Sequence, residues 1–132
     1  MNNPATLLIL VFLALTFLQS GYDKIIDWQG NLSWLKGHFE KTFIKNQVPA
    51  SLMLILVLEI IAGILCISGF IQMLLNGSNI LAFYGLLTSC ITLLFLLFGQ
   101  RIAKDYDGAR TIVIYFIPAV LGLYLSGSYG KF

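Results

Sequence analysis

Glu59 is the residue with the clearest chemical potential, because it is an acid in an otherwise apolar run, PASLMLILVLEIIAGILCISGF, over residues 49–70. About 20 mostly apolar residues cross a bilayer as a helix, and an ionisable group inside such a run is costly enough to mark a functional position by default. Counted from the start of its span, Glu59 is about seven or eight residues in, roughly 11 Å deep at 1.5 Å per residue. A first helix running the other way offers Thr16 and Gln19 at that depth, with Ser20 and Lys24 nearer the surface. Ser20 and Lys24 share one helical face, and the lysine stem is long enough to reach inward. The expected cluster is therefore Glu59, Gln19, Lys24, Ser20 and Thr16, with Gln19, and Lys24 or Tyr22 beside it, within hydrogen-bond reach of the carboxylate. Two readings stand: a protonatable site or polar ligand pocket, and an interhelical bond that only fixes how two helices dock. Replacing Glu59 by Gln separates them, since docking survives loss of the charge and proton relay does not.

Other chemistries fail on residue inventory. His38 is the only histidine and falls in a polar connection, so haem held by paired histidines between helices is not expected. Cys66 and Cys90 stand on separate helices without a CxxC motif and read as small buried apolar side chains. Asp105 and Asp107 lack the further ligands of a calcium loop. The sequence holds no Ser-His-Asp set, phosphate loop or metal cluster, so neither a metal nor catalytic activity of the chain's own is expected.

The elements that must position Glu59 are read from composition and periodicity. With 132 residues, 58% hydrophobic and 11% charged, the chain has too little polar surface for a soluble domain of its size. Apolar runs predict one domain, 1–132, that is all-α and crosses the membrane four times as an antiparallel bundle, with spans near 4–26, 49–71, 80–98 and 110–129. A cleaved signal peptide competes for the first run, but no basic residues precede Pro4, and the Met1 start is read as an uncleaved chain. Between the first two spans, Trp28, Leu32, Leu35, Phe39 and Phe43 recur at spacings of three and four with Lys36, Glu40, Lys41 and Lys45 between them. That pattern predicts an amphipathic helix lying in the headgroup plane, with Trp28 and Trp34 at a depth that suits indole rings. Polar connections are expected over 72–79 and 99–110, and Pro118 is expected to kink the fourth span.

Lysine and arginine fall seven to one on the two sides of such a topology, with only Lys131 on the side of the termini. The positive-inside rule then places both termini outside the cytoplasm. The net charge of +2 is small, so membrane lipid rather than nucleic acid is the expected partner.

The order Gln19-Ser20-Gly21-Tyr22-Asp23-Lys24-Ile25, then Pro49, then Glu59-Ile60-Ile61-Ala62-Gly63, then Gly69 resembles the DoxX family of small four-helix membrane proteins. That family shows a G-x-x-K step after its first helix and a P…E-x-x-x-G…G pattern in its second. The likeness covers the first 70 or so residues; helices three and four agree in length and apolarity. It implies structural roles for Gly21, Lys24, Pro49, Glu59, Gly63 and Gly69, and no cofactor. It also implies an accessory subunit of a larger respiratory or redox complex, with other membrane subunits or further copies of itself as partners and a quinone or lipid site to shape. A self-contained carrier that moves a small molecule or proton past Glu59 is the other expectation.

Overall fold

The computed structural model describes residues 4–42, 45–78 and 80–130; Phe43, Asn79 and Lys131 lie outside these ranges. The described residues form five α-helices: α1 (Pro4–Ile26), α2 (Trp28–His38), α3 (Val48–Asn76), α4 (Ile80–Ile102) and α5 (Tyr106–Gly130). Four of them, α1, α3, α4 and α5, are long and apolar enough to cross a membrane.

Their ends are set by local chemistry. Between α1 and α2 only Asp27 leaves the helical path, and its carboxylate accepts from the Gly30 N–H at 3.2 Å as an N-cap. Pro49 sits in the first turn of α3, where its missing N–H has no partner to lose. Gly77 closes α3 in the left-handed region at φ 74, and across that turn the Gln72 side chain accepts from the Leu81 N–H at 3.1 Å at the start of α4. After α4, Lys104 takes the left-handed conformation at φ 61, and the Asp105 N–H returns to the Gln100 carbonyl at 2.9 Å. Asp105 then caps α5 by accepting from the Gly108 N–H at 3.0 Å.

These caps explain where the structure departs from the expected boundaries. The polar stretches expected as connections are largely helical, so α3 runs on to Asn76, α4 to Ile102, and α5 starts at Tyr106. The Gln72 and Asp105 side chains satisfy orphan N–H groups at the starts of α4 and α5, while the Gly77 and Asp105 N–H groups close on the Met73 and Gln100 carbonyls at the ends of α3 and α4. The amphipathic segment is shorter than its periodicity predicts: α2 stops at His38, the Phe39 N–H closes on the Leu35 carbonyl at 2.9 Å, and Thr42 Oγ1 bonds back to the Phe39 carbonyl at 2.8 Å. Gly37 in its last turn weakens it further, and a Cβ there would meet nothing within 4 Å. Gly37→Ala is therefore expected to stabilise α2 by roughly 0.5–1 kcal/mol, read as slower amide exchange over residues 31–38. α5 continues through Pro118 as one helix.

The core joins Leu10, Leu13, Ala14 and Phe17 of α1 to Ala62 and Cys66 of α3, Leu86 and Leu93 of α4 and Ala119 of α5. Outward-facing positions are just as apolar, with Leu8, Leu15, Ile64, Leu75, Ile114 and Ile117 exposed. Helices apolar all round suit a solvent that is itself apolar. α3 packs on α1 and α4, and α4 packs on α5, while α1 and α5 meet over a shorter stretch. The α3–α4 contact is backbone on backbone, because a Cβ at Gly69 would lie 2.6 Å from the Ala82 Cα and one at Gly85 would lie 2.9 Å from the Cys66 nitrogen.

α2 crosses one end of this assembly. Its half-buried face includes Trp28, Leu32 and Leu35, with Phe39 at its C-cap, and it packs on α3. At its far end His38 Nε2 lies 3.1 Å from Gln100 Oε1 and 3.7 Å from Asp105 Oδ2, so the first and third connections share one end of the molecule. Trp34 is 61% exposed and stacks on the His38 ring at 4.5 Å.

Candidate functional site

Glu59 lies deeper than the expected seven or eight residues, a count that falls short of the ten residues separating it from Pro49. α3 begins at Val48, so Glu59 is eleven residues along it, about 16 Å from its start. Lys24 is only two residues from the end of α1, yet it meets Glu59. Gly21 lies against Ile60 and Leu18 against Gly63, so Lys24 stands nearer the start of α3 than Glu59 does and reaches it along its own stem.

Three side chains close into a triangle. Lys24 Nζ lies 2.9 Å from Glu59 Oε1 and donates to Ser20 Oγ at 2.7 Å, while Ser20 Oγ donates to Glu59 Oε2 at 2.9 Å. Ser20 and Lys24 are one turn apart on α1, so both point at α3 together. Glu59 is 3% exposed and Lys24 17%. Glu59 Oε1 faces the ammonium as an ion pair and is itself shut off from solvent.

The triangle forms part of the wall of a cavity of about 440 Å³. Thr16, Gln19, Asp23 and Lys24 of α1 line one side, Leu93 and Leu96 of α4 the back, and Ile112 and Tyr115 of α5 the other side. α1 and α5 approach closely beyond it: a Cβ at Gly122 would lie 3.0 Å from Ile9, and the Phe12 and Tyr115 rings are 5.9 Å apart. From that contact towards Lys24 the cavity occupies the space between them, with the exposed Gln19 and Asp23 at its rim. A second hollow, about 460 Å³, is bounded by the exposed Lys36, Glu40, Asn46 and Pro49 and has no buried polar group among them.

The residues singled out from the sequence divide as follows. Glu59, Lys24 and Ser20 are brought together. Gln19 lines the same cavity, but no hydrogen bond joins it to Glu59; it stands one residue, about 100° around the helix, from the face that docks on α3. Thr16 also lines it and spends its hydroxyl on the Phe12 carbonyl of its own helix at 2.8 Å. Tyr22 is 61% exposed on another face of α1. Trp28, Trp34, Leu35 and Phe39 belong to α2 and its cap, away from the cavity lining, and Phe43 lies outside the described residues. Gly21 and Gly63 sit where α1 and α3 touch, the first against Ile60 and the second against Leu18. Asp23, Leu96, Ile112 and Tyr115 were not anticipated. Asp23 was legible as an acid beside Lys24, whereas nothing in the order of residues ties α5 to Glu59. Cys66 Sγ and Ser89 Oγ lie 3.5 Å apart in the core, and the described residues contain no group of three or more His, Cys, Asp or Glu arranged to hold a metal.

Comparison with protein-family models, curated proteins and solved structures returns no match for this chain.

Proposed function

We propose that this chain is a DoxX-like multi-pass protein of the bacterial inner membrane, a non-catalytic accessory subunit of a larger respiratory or redox complex that holds a quinone or lipid head between α1 and α5. In this reading the four long helices form an antiparallel bundle, both termini face away from the cytoplasm, and α2 lies at the cytoplasmic headgroup level. The cavity is the observation that carries it: polar groups of α1 and α3 at one wall, apolar side chains of α4 and α5 at the others, the combination an amphiphile needs. The outward apolar side chains leave every long helix able to contact lipid or another subunit.

The carrier reading draws on the same Glu59. It requires a path onward from the cavity, and there Leu10, Leu13, Phe17 and Leu86 pack with at most 1% exposure. Accessory binding is therefore the better supported of the two.

Purification in a mild detergent, followed by mass spectrometry of co-migrating proteins, tests the assembly. The expected result is a stable particle well above the 14.7 kDa of the single chain, with the same unlike subunits in each preparation. A monodisperse monomer, under conditions that preserve known membrane complexes, removes the accessory role.

A further inference from the structure

The charge and hydrogen-bonding inventory of the cavity narrows what it can hold, and this step rests on the reading of the cavity as a ligand site. Two carboxylates, Glu59 and Asp23, and one ammonium, Lys24, line it, and no other cation among the described residues does. The ammonium already faces Glu59 and Ser20. An anionic headgroup would enter a space whose formal charge is minus one, lacking the clustered cations that phosphate recognition uses. A cationic headgroup would have to displace Lys24 from Glu59, losing a contact of 2.9 Å. An uncharged oxygen head meets neither obstacle. Lysine has three N–H donors, of which one goes to Ser20 while the ammonium faces Glu59 as an ion pair, which leaves donor capacity for a carbonyl or hydroxyl oxygen.

We propose that the α1/α5 cavity binds an uncharged amphiphile with a hydroxyl or carbonyl head. The head oxygen accepts from Lys24, the more exposed member of the pair, and the tail leaves past Ile112 and Tyr115. Acylglycerols and quinones share this chemistry.

The test is photo-crosslinking of the full-length protein in mild detergent with a diazirine-bearing monoacylglycerol, with labelled peptides identified by mass spectrometry. Labelling is expected on α1 and α5 peptides. Unlabelled monoacylglycerol or a short-chain benzoquinone is expected to compete at concentrations about tenfold lower than phosphatidylglycerol or dodecylamine, a difference of about 1.4 kcal/mol. Whichever of the two uncharged competitors acts at the lower concentration identifies the source of the head. Ile112→Trp fills the cavity without touching the charged triangle and should lower labelling at least about tenfold; Gln19→Trp, at the exposed rim, serves the same purpose if the first variant unfolds. Equal or better competition by phosphatidylglycerol or dodecylamine overturns the uncharged head while leaving a ligand site in place. Labelling unchanged in a folded Trp variant overturns both this inference and the proposal that the cavity holds a ligand.

Discussion

Lys24→Met is expected to destabilise the protein by about 3–5 kcal/mol, whereas Glu59→Leu should cost only about 1–2 kcal/mol, although both break the same ion pair. The asymmetry follows from where each survivor is left. Without Lys24, the Glu59 carboxylate is 3% exposed with only Ser20 as a donor, and its short side chain cannot reach water. Without Glu59, Lys24 is already 17% exposed in the last turn of α1, and its four-carbon stem can swing the ammonium to the rim beside Asp23. Removing both charges together should cost less than Lys24→Met alone, because no unpaired charge remains. Glu59→Gln keeps the shape and the Ser20 contact and should fall between wild type and Glu59→Leu. Unfolding of the four variants in mild detergent by denaturant titration measures the pattern, and their cycle isolates the coupling. Equal costs for the two single variants would mean that Glu59 reaches solvent as readily as Lys24 does. If Glu59→Gln assembles normally yet abolishes a flux or turnover of the complex, the carrier reading replaces the accessory one.

Gly69→Leu is expected to prevent α3 and α4 from docking, and Gly69→Ala to cost about 1–3 kcal/mol or more, as overpacking does. The Cβ of any residue at position 69 would lie 2.6 Å from both the Cα and the nitrogen of Ala82, and backbone cannot turn aside as a side chain can. Gly85 presents the same problem against Leu65 and Cys66, so Gly85→Ala should behave alike. Once one alanine has forced the helices apart, the second has less contact left to lose, and the double variant should cost less than the two single effects combined. Gly63→Ala is expected to be milder, because the nearest atoms belong to the Leu18 side chain, which has other rotamers. Thermal unfolding in detergent ranks the three positions. A harmless Gly69→Ala would show that the α3–α4 contact is looser than described.

The sequence by itself determined the four long helices, because runs of about 20 apolar residues are unstable in water unless packed and stable in a bilayer as helices. It also determined that Glu59 needs a donor or cation, since an unpaired charge in such surroundings is costly. It placed Ser20 and Lys24 on one face of α1 by their spacing of four. It could not choose between Gln19 and Ser20, because α1 is apolar all round outside its last turns and its composition does not mark which face turns to α3. The boundaries moved for a related reason: Gln72, Arg101 and Asp107 are polar without being helix breakers, and their place in the helices depended on caps made across the turns. Only the tertiary structure decided that Gly21 packs on Ile60 and Leu18 on Gly63, and that α5 meets α1 near Ile9 and Phe12 with the cavity between them towards Lys24. Ile112 and Tyr115 stand more than fifty residues beyond Glu59, and no periodicity within a helix records which helix packs beside it. The cavity is a property of how four helices pack, set by glycine contacts at one end and an ion pair at the other.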